Sequence, residues 1–349
     1  MRLIQVCLAD HASAQTQQVE QLIASLAERG IKQQLVCKAG SALHKRLSPK
    51  RSLHLVPINN RLQGHFKVPK TGLVHAHDLE AVKWAQWQQR LRATPWLLSW
   101  RSLDPQSTEL LTASRLKGSQ AVLVSSQAAE LALREKTSQP IKRIPDAALS
   151  LATNPLLMTQ LRSRYQGRFV IGHWGRIDRQ AGGQQHLIMC AERMQAEYPN
   201  MIFVILGKGP DYEYLKEEYK DRSNLDWIGE PEHLGDYFSI MNLYIDPAHH
   251  ADTCTGILQA MNFHIPVISS RISGFSELIS HRSNGLLFKR GDLKSLEEMI
   301  KVLYNSTQLR TRLSRDAKQA LKDFTPEQIA LKHLAVYQAI IKSLKGKSG

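Results

Sequence analysis

Residues 243–279 hold the densest set of groups able to handle an anion. LYIDPA reads as a short strand, AHHADTCTG as a small polar loop, ILQAM as a helix, PVISS as a buried strand and RISGFSELI as the loop and helix that follow. A βαβ unit of this kind sets backbone N–H groups and a helix N-terminus at the C-terminal edge of a parallel sheet. The helix dipole favours negative charge there, so the place suits a phosphate. The same loop carries His249, His250, Asp252 and Cys254. Adjacent histidines on a loop rarely converge on one ion, so no metal site is expected. In the other half of the chain, His75, His77 and Asp78 close the apolar run GLVHAHD, where a strand end would present them.

These groups need elements to position them, and the chain supplies a regular alternation. LIQVCLA, the amphipathic helix QVEQLIASLAERG and the run IKQQLVCKAG make a right-handed βαβ start, so a parallel, doubly wound sheet is expected. Further strands are read at HLVPI, GLVHAH, WLLSW and AVLVSS, with helices at LEAVKWAQWQQRLR and QAAELALREK. Residues 151–168 read as a connecting segment, and RFVIGHWGRI opens a second series. It runs through QQHLIMCAERMQAEY (helix), MIFVILG (strand), YEYLKEEYKD (helix), the weak strand LDWIG and HLGDYFSIM (helix) to residue 243. Two α/β domains of similar size follow, with a cleft between them as the default ligand site. The turn ADHASAQTQQ after the first strand has no glycine, so it lacks a dinucleotide fingerprint and argues against an NAD-type dehydrogenase.

Composition narrows the class. At 349 residues and 42% hydrophobic content the chain can bury two cores. No apolar run approaches the roughly 18 residues of a membrane span, and the first ten residues lack a signal-peptide pattern, so a cytoplasmic protein is expected. Cys7, Cys37, Cys190 and Cys254 show no CxxC pairing, and the first three lie in or beside apolar runs, as buried reduced thiols do. The net charge of +15 is uneven: residues 1–166 hold 23 Lys+Arg against 10 Asp+Glu, a net +13, leaving +2 for the remainder. That asymmetry suits a polyanionic partner of the N-terminal half, or a merely solvated basic face. Trp84, Trp87, Trp96 and Trp100 stand among Lys83, Arg90 and Arg92. The set invites a membrane, sugar or nucleic-acid reading, but Trp84 and Trp87 at spacing three share a helical face and core packing is the commoner explanation. No nucleic-acid module is recognisable, and no such partner is expected.

Several stretches of the second half stand in a familiar order: FVIGHWGRI (169–177), FVILGKGP (203–210), LYIDPAHHADTCTGILQAMNFHIPVISS (243–270) and GFSELISHRSNGLLFKRGDLKSL (274–296), with FTPEQIALKHLAVYQAI (324–340) as a terminal helix. Over roughly 170 residues they resemble the GT-B glycosyltransferases of retaining family 4, the glycosyl transferases group 1. The N-terminal half is similar in outline only, through VHAHD, AVLVSS and RIPDAALS.

The resemblance implies a GT-B fold, two Rossmann-like doubly wound parallel-sheet domains facing across a cleft. It implies a nucleotide-sugar donor on the C-terminal domain (167–329) and an acceptor on the N-terminal one (1–166), onto which a helix at 330–349 packs back. Gly175 and Arg176 match the family arginine that contacts the diphosphate, whose fork of donors suits phosphate oxygens. Thr253, Cys254, Thr255 and Gly256 match the segment that offers main-chain N–H groups to sugar and phosphate, and small side chains allow that approach. With no D-x-D pair in the chain, the leaving group is expected to be stabilised without a metal. There are departures. The family's lysine five residues after the arginine is Ala181, with Arg179 or Lys208 as substitutes, and its two glutamates fall on Ala251 and Gln259. Gln259 can still meet a ribose hydroxyl. Asp252 either approaches the donor sugar or caps a helix. Glu277 either lies near the nucleotide or serves a helix dipole. On the acceptor side His77 and Arg101 are candidates for contact with the donor sugar, a phosphate or an acidic acceptor.

Taken together, a retaining glycosyltransferase is expected, with His77, Arg101 and Asp252 as its catalytic candidates. It would use a nucleoside diphosphate sugar, a UDP-sugar first, with no other cofactor, and an anionic glycan or glycolipid such as a bacterial surface glycan or lipopolysaccharide core. A peripheral contact with the cytoplasmic face of the inner membrane is part of that expectation. The alternative is a catalytically impaired homologue that binds a nucleotide sugar, a glycan or a partner.

Overall fold

The computed structural model describes residues 2–10, 13–49, 52–101, 109–149, 151–250 and 253–346. By contacts the chain divides into Met1–Ala147 with Asp323–Gly349, and Ala148–Lys322, whereas the sequence pattern put the changes near 166 and 329. In the first unit the elements run β1 Leu3–Cys7, α1 Ala14–Glu28, β2 Gln33–Lys38, α2 Ala42–Arg46, β3 Leu53–Ile58, β4 Leu73–Ala76, α3 Leu79–Arg92, β5 Trp96–Trp100, α4 Ala113–Leu116, β6 Ser119–Val124, α5 Gln127–Arg134 and β7 Ile141–Arg143. The strands form one sheet in the order β3-β2-β1-β4-β5-β6-β7, all pairs parallel.

Local chemistry explains the element ends. Ser13 and Thr16 form a reciprocal capping box on α1, and Gly30, at φ +73°, turns the chain out of it. Asp78 caps α3 by accepting from Ala81 N at 2.7 Å, and its other oxygen accepts from Leu8 N at 2.6 Å. Both of its oxygens thus serve the backbone at the end of β1 and the start of α3.

The second unit runs α6 Pro155–Arg164, β8 Phe169–Trp174, α7 Gln184–Met194, β9 Met201–Leu206, α8 Tyr212–Glu218, β10 Leu225–Gly229, α9 Leu234–Phe238, β11 Leu243–Asp246, α10 Thr255–Asn262, β12 Val267–Ser270, α11 Ser273–Leu278, β13 Leu286–Phe288, α12 Leu293–Asn305 and α13 Thr307–Ala320. Its parallel sheet has the order β10-β9-β8-β11-β12-β13. Ile171, Phe203, Ile245 and Ile268 from the strands meet Leu187, Leu296 and Ile300 from α7 and α12 in its core. The segment read as a plain connection contains α6. Asn154 caps it by accepting from Leu156 N at 3.0 Å, and Pro155 sits at its start, where a missing N–H costs nothing.

The last helix, α14 Pro326–Gly346, returns to the first unit and packs on α1. Ile329, Ala330, Val336, Tyr337 and Ile340 join Leu22, Leu26, Leu73 and Leu97 in one apolar cluster. Among the described residues no helix is long and apolar enough to cross a membrane.

Candidate functional site

In both units the first strand lies between the second and the fourth, so chain direction switches beside β1 and beside β8. A ligand of such a sheet binds outside the carboxyl ends of the strands at the switch. In the second unit that point is made by the loops after β8 and β11, with the loop after β9 alongside. Glycines let these three loops close on one another. A Cβ built on Gly207 would fall 2.0 Å from the Gly175 carbonyl oxygen, one on Gly209 would fall 2.2 Å from Ile177 O, and one on Gly183 would fall 2.2 Å from Pro247 O. Ala181 O accepts from His249 N at 2.8 Å and from His250 N at 3.1 Å, which joins the β8 and β11 loops.

Buried polar side chains fix the same junction. His173 Nδ1 lies 2.9 Å from Ile245 O, and Gln184 Nε2 lies 3.1 Å from His173 Nε2 and donates to Arg176 O at 2.8 Å. Burial pushes His173 down to about 4, so the ring is neutral, donating through Nδ1 and accepting at Nε2. Gln184 thereby holds the backbone of Arg176 in place. At the end of β11, burial raises the Asp246 carboxyl to about 7, with one hydrogen bond from Ala248 N at 3.3 Å. Neither His173, Gln184 nor Asp246 stood out in the sequence, although each is a polar residue in or beside an otherwise apolar run.

The N-terminus of α10 closes the site. Gly256 has no room for a side chain, since a Cβ there would lie 2.0 Å from the Tyr244 hydroxyl, which itself donates to Trp174 O at 3.0 Å. Cys254, at the cap position, gives no side-chain cap, and Thr255 N reaches Thr253 Oγ1 only at 3.5 Å. Among the described residues the Thr255 hydroxyl is buried without a partner.

The first unit holds a buried polar chain at its own switch. Arg101 Nε meets Asp146 Oδ1 at 3.1 Å, Arg101 Nη1 meets His77 Nδ1 at 3.3 Å, and His77 Nε2 meets Gln5 Oε1 at 2.9 Å. Beside it His75 bonds Tyr337 of α14 and Ser99, both at 2.7 Å. Burial, with the Arg101 charge, holds His75 and His77 well below the usual imidazole range, so both are neutral. A separate cavity of about 380 Å³ opens at the ends of β1, β2 and β3, where Lys38, Asn59, Asn60 and Arg61 line it. Lys38 pairs with Asp10 at 2.6 Å and Arg61 with Glu80 at 3.1 Å.

Residues 161–320 match the family model described as "Glycosyl transferases group 1". The matched residues lie within the second unit. The chain is 23% identical over 184 residues to a capsular polysaccharide biosynthesis glycosyltransferase, CapM, of Staphylococcus aureus, covering 51% of this chain and 48% of that one. It is 24% identical over 186 residues to the lipopolysaccharide core biosynthesis mannosyltransferase LpsB of Rhizobium meliloti, covering 49% and 52%. The chain thus spans about half the length of the curated relatives it matches. In structure it is similar to Anabaena Alr3699/HepE, solved in complex with UDP-glucose, with a TM-score of 0.77 at 18% identity over 99% of this chain and 100% of that one. The two parallel-sheet α/β units are those of the GT-B fold.

Within the second unit, the residues expected to meet the donor gather in part. Arg176 follows Gly175 at the switch, its side chain 64% exposed, with Nε 3.5 Å from Asp178 Oδ2. Ile177 N donates to Lys208 O at 3.1 Å, which brings Lys208 to the same junction. Arg179 turns outward, pairing with Asp211 at 3.3 Å and lying 4.7 Å over the Tyr214 ring. Thr253, Cys254, Thr255 and Gly256 form the entry to α10. Ala251 and Asp252 lie outside the described residues.

Three expectations need correction. Gln259 is fully buried, and its amide, in the orientation that satisfies both ends, donates to Leu149 O at 2.9 Å and accepts from Leu149 N at 2.8 Å. It clamps backbone and offers nothing to a ribose. Glu277 is in the last turn of α11, not at its start, so the helix dipole opposes a charge there. Arg101 and His77 are buried, with Arg101 Nε on Asp146, Arg101 Nη1 on His77 Nδ1 and His77 Nε2 on Gln5, so both His77 ring nitrogens are already engaged inside the first unit. Of the tryptophans, Trp84 and Trp96 are core residues, whereas Trp87 is exposed. Among the described residues no three His, Cys, Asp or Glu side chains are grouped to hold a metal ion.

Proposed function

We propose that this protein is a glycosyltransferase that moves a sugar from a nucleoside diphosphate donor, a UDP-sugar first, to an acceptor hydroxyl with retention at the anomeric carbon. The observation that carries the proposal is the three-glycine junction after β8, β9 and β11, which sets Arg176, Lys208 and the α10 N-terminus on one side of the second unit. Charge develops on the diphosphate as the bond from anomeric carbon to phosphate oxygen breaks. A guanidinium fork, an ammonium and helix N–H groups are suited to receive it. The new bond joins the acceptor oxygen to the anomeric carbon, and the acceptor proton passes to the departing phosphate. Asp252, one residue before Thr253, is our candidate for contact with the donor sugar.

For the acceptor we propose an anionic glycan or glycolipid of the bacterial surface, of the lipopolysaccharide-core type, made on the cytoplasmic side. The +13 excess of residues 1–166 and the cavity lined by Lys38 and Arg61 support that reading. The test is transfer and donor hydrolysis by the purified full chain, across a panel of nucleoside diphosphate sugars with phosphorylated and neutral acceptors. Turnover of one donor, faster with an anionic acceptor, is expected. Binding without turnover for every donor would favour the second reading, an impaired homologue, for which Ala181 and the buried Gln259 speak.

A further inference from the structure

The connector from β3 to β4, residues 59–72, has no helix or strand, yet it is fastened along the whole of α3. Arg61 pairs with Glu80 at 3.1 Å, Gln63 O accepts from Trp84 Nε1 at 2.9 Å, and His65 Nδ1 meets Gln88 Oε1 at 2.9 Å. Arg92 Nη1 donates to His65 O at 2.9 Å and Val68 O at 3.0 Å, and the His65 ring stacks on Trp84 at 4.6 Å. The helix partners recur every fourth residue, so the connector follows one ridge of α3 from its first turn to its last.

A segment held so firmly would be expected to turn its apolar side chains inward. Instead Phe66 is 80% exposed and Leu62 64%. On α3, Trp87 is 42% and Leu91 49% exposed. At 100° per residue Leu91 lies only about 20° around the helix from Glu80 and Trp84, and Trp87 flanks it, so all four apolar side chains belong to one ridge. The connector and α3 carry Arg61, Lys67, Lys70, Lys83, Arg90 and Arg92 against the single carboxylate Glu80, which is already bonded to Arg61 and Lys83.

We propose that this ridge docks the protein on an anionic lipid bilayer, with Phe66 and Leu62 entering the acyl boundary and Lys67, Lys70 and Arg90 meeting lipid phosphates. A bilayer surface presents a negative layer with an apolar layer directly behind it, and the ridge presents the complement. A second copy of this chain does not: it would bring the same excess of cations against itself. The ridge belongs to the first unit and the proposed donor residues to the second, and lipid binding needs neither donor nor acceptor, so its failure and that of the transfer reaction are distinguishable.

The experiment is co-sedimentation of the full chain with vesicles of phosphatidylglycerol mixed with phosphatidylcholine, and with phosphatidylcholine alone. Binding to the anionic vesicles only, weakening with salt, is expected. Phe66→Asp with Leu62→Asp should lower the partition coefficient by on the order of tenfold or more, since each removes a side chain from the acyl region. Lys67→Glu with Lys70→Glu should steepen the loss while leaving the unfolding temperature unchanged. A blue shift of emission on binding should vanish in Trp87→Phe. No binding to anionic vesicles, equal binding by the Phe66 and Leu62 variant, or self-association abolished by that variant would each overturn the proposal.

Discussion

Arg101 and Asp146 meet at 3.1 Å with both side chains almost wholly out of solvent. Removing one partner leaves the other charge buried and unmatched, which costs far more than the net worth of the pair. Asp146→Ala is therefore expected to destabilise the first unit by about 3–5 kcal/mol. The double change Arg101→Met with Asp146→Leu should cost much less, and urea unfolding of the two variants checks the difference.

Arg176 is exposed, and its carboxylate partner among the described residues, Asp178, stands off at 3.5 Å. An exposed pair of that length adds little to stability. Arg176→Ala should leave the unfolding temperature unchanged while weakening UDP binding by about 1.5–3 kcal/mol, the scale of a charged hydrogen bond. Calorimetric titration reads it directly, and unaltered affinity would remove Arg176 from the donor site.

Gln259 is expected to act on the fold alone. Gln259→Leu would leave the N–H and C=O of Leu149 without their amide partner, at about 1–3 kcal/mol of stability. Nucleotide affinity should stay within twofold or so of the parent once the variant is folded, because the side chain is spent inside the protein. A large loss of affinity with normal stability would return Gln259 to ribose recognition.

Asp246 gives a stability that depends on pH. Burial raises its carboxyl from 3.8 to about 7, so between those values the folded chain keeps a proton that the unfolded chain has lost. The contribution is full below the unfolded value and disappears as pH rises through the folded one, by up to about 4 kcal/mol. Asp246→Asn should flatten that fall, being the more stable form at pH 8 and about equal to the parent near pH 4, as denaturant midpoints at the two pH values would show.

Most strands were legible because each is a short apolar run bounded by polar turns, and WLLSW and LDWIG match theirs residue for residue; β7, which is IKR, and the three-residue β13 gave no such run and were not read. Helix α3 was equally plain, LEAVKWAQWQQRLR matching it from Leu79 to Arg92, whereas the role of Asp78 as its cap was not read. Helix α6 was missed because it buries only Leu161 and so shows no apolar stripe, although Asn154 before Pro155 was a start signal. At the site, residue types were visible and directions were not. Gln259 and Arg101 have side chains suited to ligands, and only the positions of Leu149 and Asp146 reveal that each is already engaged. Trp87 misled in the opposite sense: its spacing from Trp84 suggested burial, but a step of three turns it by about 60°, enough to leave the core.

Helix α14 gives the polypeptide an assembly order that runs against its sequence. Tyr337 holds His75, and Ile329, Val336 and Ile340 complete the cluster around Leu22 and Leu26, so the earlier half lacks part of its interior until residues past 323 leave the ribosome. The half from 148 to 322 has no such debt, being continuous, and it can finish first though it is made second.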